Sequence, residues 1–194
     1  ILYITASNVL IKNIQFTNGY AENGGAVFFE KSGNVENCNF TNNEVNGAKS
    51  SGGAIYLNGA GNVINSIFTA NKATRNGGAI YVKGDNADIL NSMITFTNST
   101  VSGGAVYISG NFADIINSTF INNAAKASSG FVSSNLGGSI YIEGINATID
   151  GASITNSSAF DGGAIYIKKG GDYARVLNSN ISQTNALNSG GAVY

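Results

Sequence analysis

Two carboxylates and a row of aromatic rings are the side chains whose spacing suggests chemistry. Asp88 and Asp114 stand in matching contexts, Ala87-Asp-Ile-Leu90 and Ala113-Asp-Ile-Ile116. Stacked in register they would lie about 4.8 Å apart, one interstrand spacing. Such a pair can attract a cation or raise one carboxyl pKa by like-charge repulsion, which is where a polysaccharide lyase or hydrolase would begin. Arg175 takes the equivalent place two copies beyond Asp114, with Thr148 between. Ca²⁺ usually needs six or more oxygen ligands, however, and no second acidic cluster joins these two; Asn34 and Asn62 simply extend the row. The stronger expectation is two solvated carboxylates, with no catalytic, metal or cofactor site.

The aromatic row is the sharper feature. Phe28, Tyr56, Tyr81, Tyr107, Tyr141, Tyr166 and Tyr194 each end a Gly-Gly-small-aliphatic-aromatic pentad. With the aliphatic residues inward, the rings point outward, flanked by Ala26, Ala54, Ala79, Ala105, Ser139, Ala164 and Ala192. One reading is an aromatic-and-alanine stripe for sugar rings, a receptor or a neighbouring rod, since Tyr offers an apolar body and a wet tip. The other is ring stacking between repeats without any ligand. A second contact candidate is the insertion Lys126–Asn135, whose Phe131 and Val132 give it an apolar tip; insertions on rigid scaffolds carry specificity or are merely tolerated.

Composition narrows the alternatives. The 194 residues contain no His, which excludes a Ser-His-Asp triad and histidine acid-base chemistry. Ten dispersed Lys and Arg give nucleic acid little to hold. No apolar run is long enough to span a bilayer. The single Cys38 cannot form an intrachain disulfide and falls at a small-residue repeat position, so burial is expected.

The pentads start at Gly24, Gly52, Gly77, Gly103, Gly137, Gly162 and Gly190. Between them recurs a second block, clearest in Ala113-Asp-Ile-Ile-Asn-Ser-Thr-Phe-Ile-Asn-Asn123. Each repeat holds three short alternating segments bounded by Gly, Asn or Ser; in the fourth these are Ala105–Ile108, Ala113–Ile116 and Ser118–Ile121. Three strands in about 25 residues is one coil of a parallel β-helix. Stacking predicts inward ladders of Ile/Val, of Phe/Ile (Phe16, Phe40, Phe68, Ile94, Phe120, Ile154, Ile181) and of small residues (Cys38, Ser66, Ser92, Ser118, Ala152, Ser179). Asn37, Asn65, Asn91, Asn117 and Asn178 are placed at a bend, bonding neighbouring coils through their amides, with Asn117 too buried for glycosylation at its sequon. An outward Thr row (Thr17, Thr41, Thr69, Thr95, Thr155) reflects β-propensity rather than an ice-binding array, because its companion column is not Thr.

Gly-Gly-Ala-Ile followed by Phe-x-x-Asn (Phe40–Asn43, Phe68–Asn71, Phe120–Asn123) resembles the passenger repeats of chlamydial polymorphic outer-membrane proteins. The Asn-rich style of Asn117–Ala124 resembles the adhesin-like surface proteins of methanogenic archaea. The resemblance implies a right-handed, pectin-lyase-like parallel β-helix of about seven coils, exported to the cell surface, with adhesion as its role. Thr97, Ser157 and Thr184 depart from the motif at the Asn place.

The resulting expectation is a single β-helix segment over residues 1–194, internal to a longer rod or stacked end to end with copies of itself. It is a non-enzymatic extracellular adhesin, stalk or filament. The partners expected are neighbouring coils or copies, and a cell-surface glycan or partner-cell protein. The alternative is a polysaccharide lyase or hydrolase centred on Asp88 and Asp114.

Overall fold

The computed structural model describes all residues, Ile1–Tyr194, as 28 short strands without a helix. One coil runs through Val106–Ile108, Asp114–Ile116, Thr119–Ile121 and Ala124–Ala125. Each strand pairs in parallel with its counterparts one coil before and one coil after. The result is four seven-stranded sheets running along the axis of a β-solenoid. At about 4.8 Å per coil the seven turns span roughly 34 Å.

The coil has four strands, not the three expected. The additional strand follows the Phe-x-x-Asn motif and is only two residues long in most coils, as in Glu44–Val45 and Lys72–Ala73. Two residues cannot display an alternation, so the segment reads as a turn until its parallel partner is seen.

The inward ladders are in the expected register. Phe16, Phe40, Phe68, Ile94, Phe120, Ile154 and Ile181 are successive partners in one sheet. Val27, Ile55, Ile80, Val106, Ile140 and Ile165 do the same in another. Both ladders join a single core cluster of 33 buried residues, Cys38 among them.

The corners depart from simple alternation. In Gly52-Gly53-Ala54, Gly52 has φ +69°, a backbone that favours glycine. A Cβ on Gly53 would stand 2.0 Å from the Gly78 carbonyl oxygen of the next coil, so nothing larger fits there. The N–H groups of Ala54 and Ile55 then both donate to the Ala79 carbonyl, at 2.9 and 3.0 Å. This doubled bond resets the alternation. Ala26, Ala54, Ala79, Ala105 and Ala164 consequently lie in the core, fully buried, rather than flanking the aromatic row on the outside.

The Asn bend also differs. Asn37, Asn65, Asn91, Asn117 and Asn178 have φ between 46° and 51° and exposed side chains, so Asn117 is accessible, not buried. Their contribution is the left-handed backbone, which Asn tolerates better than most residues. Of the five amides only that of Asn178 reaches the neighbouring coil, donating to Asp150 Oδ1 at 2.8 Å, and the repeated bonds across the bend come from the small ladder. Ser66 Oγ accepts the Cys38 N–H at 3.1 Å and donates to the Ile64 carbonyl at 2.9 Å. Ser92 and Ser118 repeat both bonds. The buried amide ladder belongs to the motif Asn. Asn71 Oδ1 accepts the Asn43 N–H at 2.9 Å, and Asn71 Nδ2 donates to the Phe40 carbonyl at 3.0 Å. Where Thr97 replaces Asn, its hydroxyl donates to the Gly104 carbonyl at 2.9 Å.

Candidate functional site

The aromatic row lies on the outer face of the first sheet of each coil. Val27, Ile55, Ile80 and Val106 turn inward on the same strands, so pleating sends the next ring outward. Rings from Tyr3 through Phe28, Tyr56, Tyr81, Tyr107, Tyr141, Tyr166 and Tyr194 stack face to face, with centroids 4.6–5.2 Å apart. The faces are therefore taken up by neighbouring rings, and the stripe shows solvent its edges and hydroxyls. With the alanines inside, the outward surface is a row of phenols rather than a flat apolar platform. Tyr107 and Tyr141 are nearly buried, at 8% and 6% exposure.

A groove of about 460 Å³ lies over the middle of this row. Its floor is Tyr56, Tyr81 and Tyr107. Asn23, Ser51 and Asn76, from the column just before Gly-Gly, contribute to its lining together with Lys49 and Arg75. Glu143 and Lys168, which follow the first strands of later coils, complete it. The Tyr107 hydroxyl donates to Glu143 Oε2 at 2.5 Å, and Lys168 Nζ bonds the other carboxylate oxygen. Burial acts to raise the Glu143 pKa, but the bonds from Lys168 and Tyr107 outweigh it and hold the carboxyl below its usual range. The phenols shift the other way. Burial, aided by Tyr81, pushes Tyr56 to about 12. Burial and the Glu143 charge push Tyr141 to about 12. Tyr107 is raised by burial and by its bond to Glu143. On the groove floor the protonated forms of Tyr56 and Tyr107 are thus favoured, with the Tyr107 proton committed to Glu143.

Of the residues expected to make contacts, Tyr56, Tyr81 and Tyr107 meet in the groove, and Tyr141 and Tyr166 continue the stack beyond it. Phe28 borders a separate shallow depression beside Tyr3 and Asn23. Phe131 and Val132 line neither. Lys126 Nζ sits 5.1 Å from the centroid of the half-buried Phe131 ring, while Val132 is 41% exposed. The loop is pinned by Asn135, whose Oδ1 accepts the Val132 N–H at 2.7 Å and whose Nδ2 donates to the Thr100 carbonyl at 2.7 Å.

Asp88 and Asp114 do lie in adjacent coils on one column, and one Asp88 oxygen is held by backbone. Asp88 Oδ1 accepts the Asp114 N–H at 3.1 Å, as Asn62 Oδ1 accepts that of Asp88 at 3.3 Å and Asn34 Oδ1 that of Asn62 at 2.9 Å. Burial raises the Asp88 pKa, the Asp114 backbone bond opposes the rise, and the Asp114 charge adds to it. No group of three or more acidic, Cys or His side chains comes together.

The groove's lining, Lys49, Arg75, Asn76, Glu143 and Lys168, was not visible as a set in the sequence. Two signals pointed to parts of it: Lys49 lies in a residue gain near Asn46–Ser51, and Lys168 begins a smaller turn expansion at Lys168–Asp172. Neither says which face it overhangs.

Seven in-register coils with a polar groove on one face define a parallel β-solenoid repeat protein. Residues 65–83, from the Asn65 bend through Gly77-Gly-Ala-Ile-Tyr81, match the Chlamydia polymorphic membrane protein repeat. No curated protein and no solved structure matches the chain.

Proposed function

We propose that this chain is a stiff segment of a cell-surface protein, a stalk with adhesive faces and no enzymatic activity. Its coils wind right-handedly, the hand that parallel strand connections overwhelmingly take. The observation that carries the reading is the match of residues 65–83, which span the end of one coil and the start of the next, to a polymorphic membrane protein repeat, within a core that is continuous from coil to coil. A rod of this kind holds whatever it displays at a fixed distance from its base, because each coil is locked to the next by ladders of backbone bonds and aligned Phe and Ile. The absence of catalysis is supported by Asp88 Oδ1, which is engaged by backbone, and by the lack of a second carboxylate beside Glu143 in the groove; glycoside hydrolysis ordinarily uses a pair.

Antibodies against the protein should label intact producing cells as strongly as permeabilised ones; labelling only after permeabilisation would remove the surface reading. Acidic polysaccharides incubated with the protein should show no new chain ends. Depolymerisation that disappears in Asp88→Ala and Asp114→Ala would replace the stalk with the enzymatic alternative.

A further inference from the structure

Asn76 stands immediately before Gly77-Gly78, as Asn23 stands before Gly24-Gly25 and Asp161 before Gly162-Gly163. Those two counterparts have a fixed task. Asn23 Oδ1 accepts the Ser51 N–H at 3.0 Å, and Asp161 Oδ1 accepts the Ser189 N–H at 2.9 Å, each one coil further on. By the same pattern Asn76 Oδ1 should accept from Ser102, its bridge partner in the next coil. The Ser102 N–H instead donates to the Arg75 carbonyl at 3.3 Å. Asn76 is only 9% exposed, and its Oδ1 is a buried acceptor without a donor. Buried carbonyl oxygens are nearly always paired, because leaving one dry forfeits its hydration for nothing. Asn76 lines the groove but its Oδ1 is turned from solvent, so a rotation of the amide is what would bring this oxygen to an O–H or N–H of a bound molecule.

The rest of the lining indicates what kind of molecule. Lys49 and Arg75 are exposed and take part in none of the three ion pairs, whereas Lys168 is neutralised by Glu143. Two cations without counter-charge favour an anionic ligand, and Arg suits a carboxylate especially well. The tyrosine rings are the only apolar side chains present, and stacking leaves them edges and hydroxyls to offer. A peptide would find no apolar subsite for an anchoring side chain; a chain of hydroxyls finds partners throughout. The volume of about 460 Å³ lies within the usual span of ligand sites, about 300 to 1,000 Å³.

We propose that the groove binds a carboxylated oligosaccharide, a sugar hydroxyl donating to Asn76 Oδ1 and a carboxylate held by Lys49 and Arg75. The inference rests on the adhesive reading for its setting, yet the binding measurement is made on purified protein and is independent of where the protein is displayed. Trigalacturonate and sialyllactose are titrated by calorimetry at fixed ionic strength, beside the methyl ester of trigalacturonate and inorganic phosphate. At least one carboxylated sugar should bind saturably, and the methyl ester and phosphate should not compete. The Lys49→Ala, Arg75→Ala double variant should lose affinity by roughly tenfold or more, as expected for two charge-assisted contacts, with an unchanged melting temperature. Asn76→Ala removes an unsatisfied acceptor, so it should weaken binding while leaving the melting temperature equal or higher. No saturable binding of either acid, equal binding of the ester, displacement by phosphate, or undiminished affinity in the double variant would overturn the proposal. If Asn76→Ala does not fold, the double variant decides alone.

Discussion

Phe120 and Tyr107 lie on opposite faces of the wall, and their replacement separates core packing from ladder stacking. Phe120 is fully buried in the ladder between Ile94 and Ile154. Phe120→Ala should cost about 3 to 5 kcal/mol in chemical denaturation, the range for a large side chain removed from a packed core. Tyr107 faces outward but is sandwiched between Tyr81 and Tyr141 and bonded to Glu143. Tyr107→Phe keeps the stack and loses the bond, so about 1 to 2 kcal/mol is expected, near the value for a hydrogen bond to a charged group. A loss in Tyr107→Phe equal to that in Phe120→Ala would mean that the hydroxyl bond, not the ring stack, dominates this face. The phenols also set an alkaline limit. Tyr56 and Tyr141 are raised from 10.0 to about 12, so the fold favours their protonated forms. That contribution is complete below pH 10 and is lost as pH rises through 12. Tyrosinate absorbance and the β-sheet signal should accordingly change together in this window. Titration of all nine tyrosines near pH 10 with the fold intact would contradict the burial of the stack.

The Gly-Gly corner is the element on which each coil turns: its first glycine, such as Gly77, has φ +63° and would press a Cβ 2.2 Å from the Ile80 carbonyl oxygen of its own coil, whereas the second abuts the next coil. At Gly78, an added Cβ would lie 2.1 Å from the Gly104 carbonyl oxygen, so two coils would have to part. Gly78→Ala should destabilise by more than about 3 kcal/mol, above the usual range for point changes. Gly130, in the insertion, has φ +114° but nothing within 4 Å of its would-be Cβ. Gly130→Ala should therefore cost only about 1 to 2 kcal/mol, the backbone strain alone. Equal losses in urea titrations of the two variants would remove close approach as the reason for the second glycine. The same corner shows where sequence reading succeeds and stops. Aliphatic-aromatic pentads were legible because pleating sorts Ile55 and Leu57 from Tyr56, and the regular block spacing aligned Phe40 with Phe68. Ala54 was misplaced because a doubled bond to the Ala79 carbonyl, invisible in an alternation pattern, turns it inward. The two-residue fourth strand has too few residues to show a period. The orphaned Asn76 Oδ1 was beyond reach for another reason. Its state depends on whether the Ser102 N–H goes to a side chain or to the Arg75 carbonyl, a choice made between coils that no residue pattern records.

At the scale of the molecule, every strand pairing joins a coil to its immediate neighbours, and no strand reaches past them. Stability in such an array is a sum of coil terms and nearest-neighbour interfaces, and local opening need not spread to the whole. The ladders make this concrete. The Phe120 ring adjoins Ile94 in one direction and Ile154 in the other, whereas Phe16 is four ladder positions away through Ile94, Phe68 and Phe40. Loss of the Phe120 ring should hence be felt in Met93–Thr95, Thr119–Ile121 and Ser153–Thr155 and fade toward Gln15–Thr17. Hydrogen exchange followed by mass spectrometry on Phe120→Ala should show faster exchange in peptides covering the first three strands and near-parental rates in the last. Uniform acceleration along the chain would instead identify the seven coils as one cooperative unit, in which interfaces are strong enough that no coil opens alone. The expected gradient follows from the geometry. The core is continuous, but each side chain touches only the coils above and below it, so strain introduced at one rung is shared chiefly with two others.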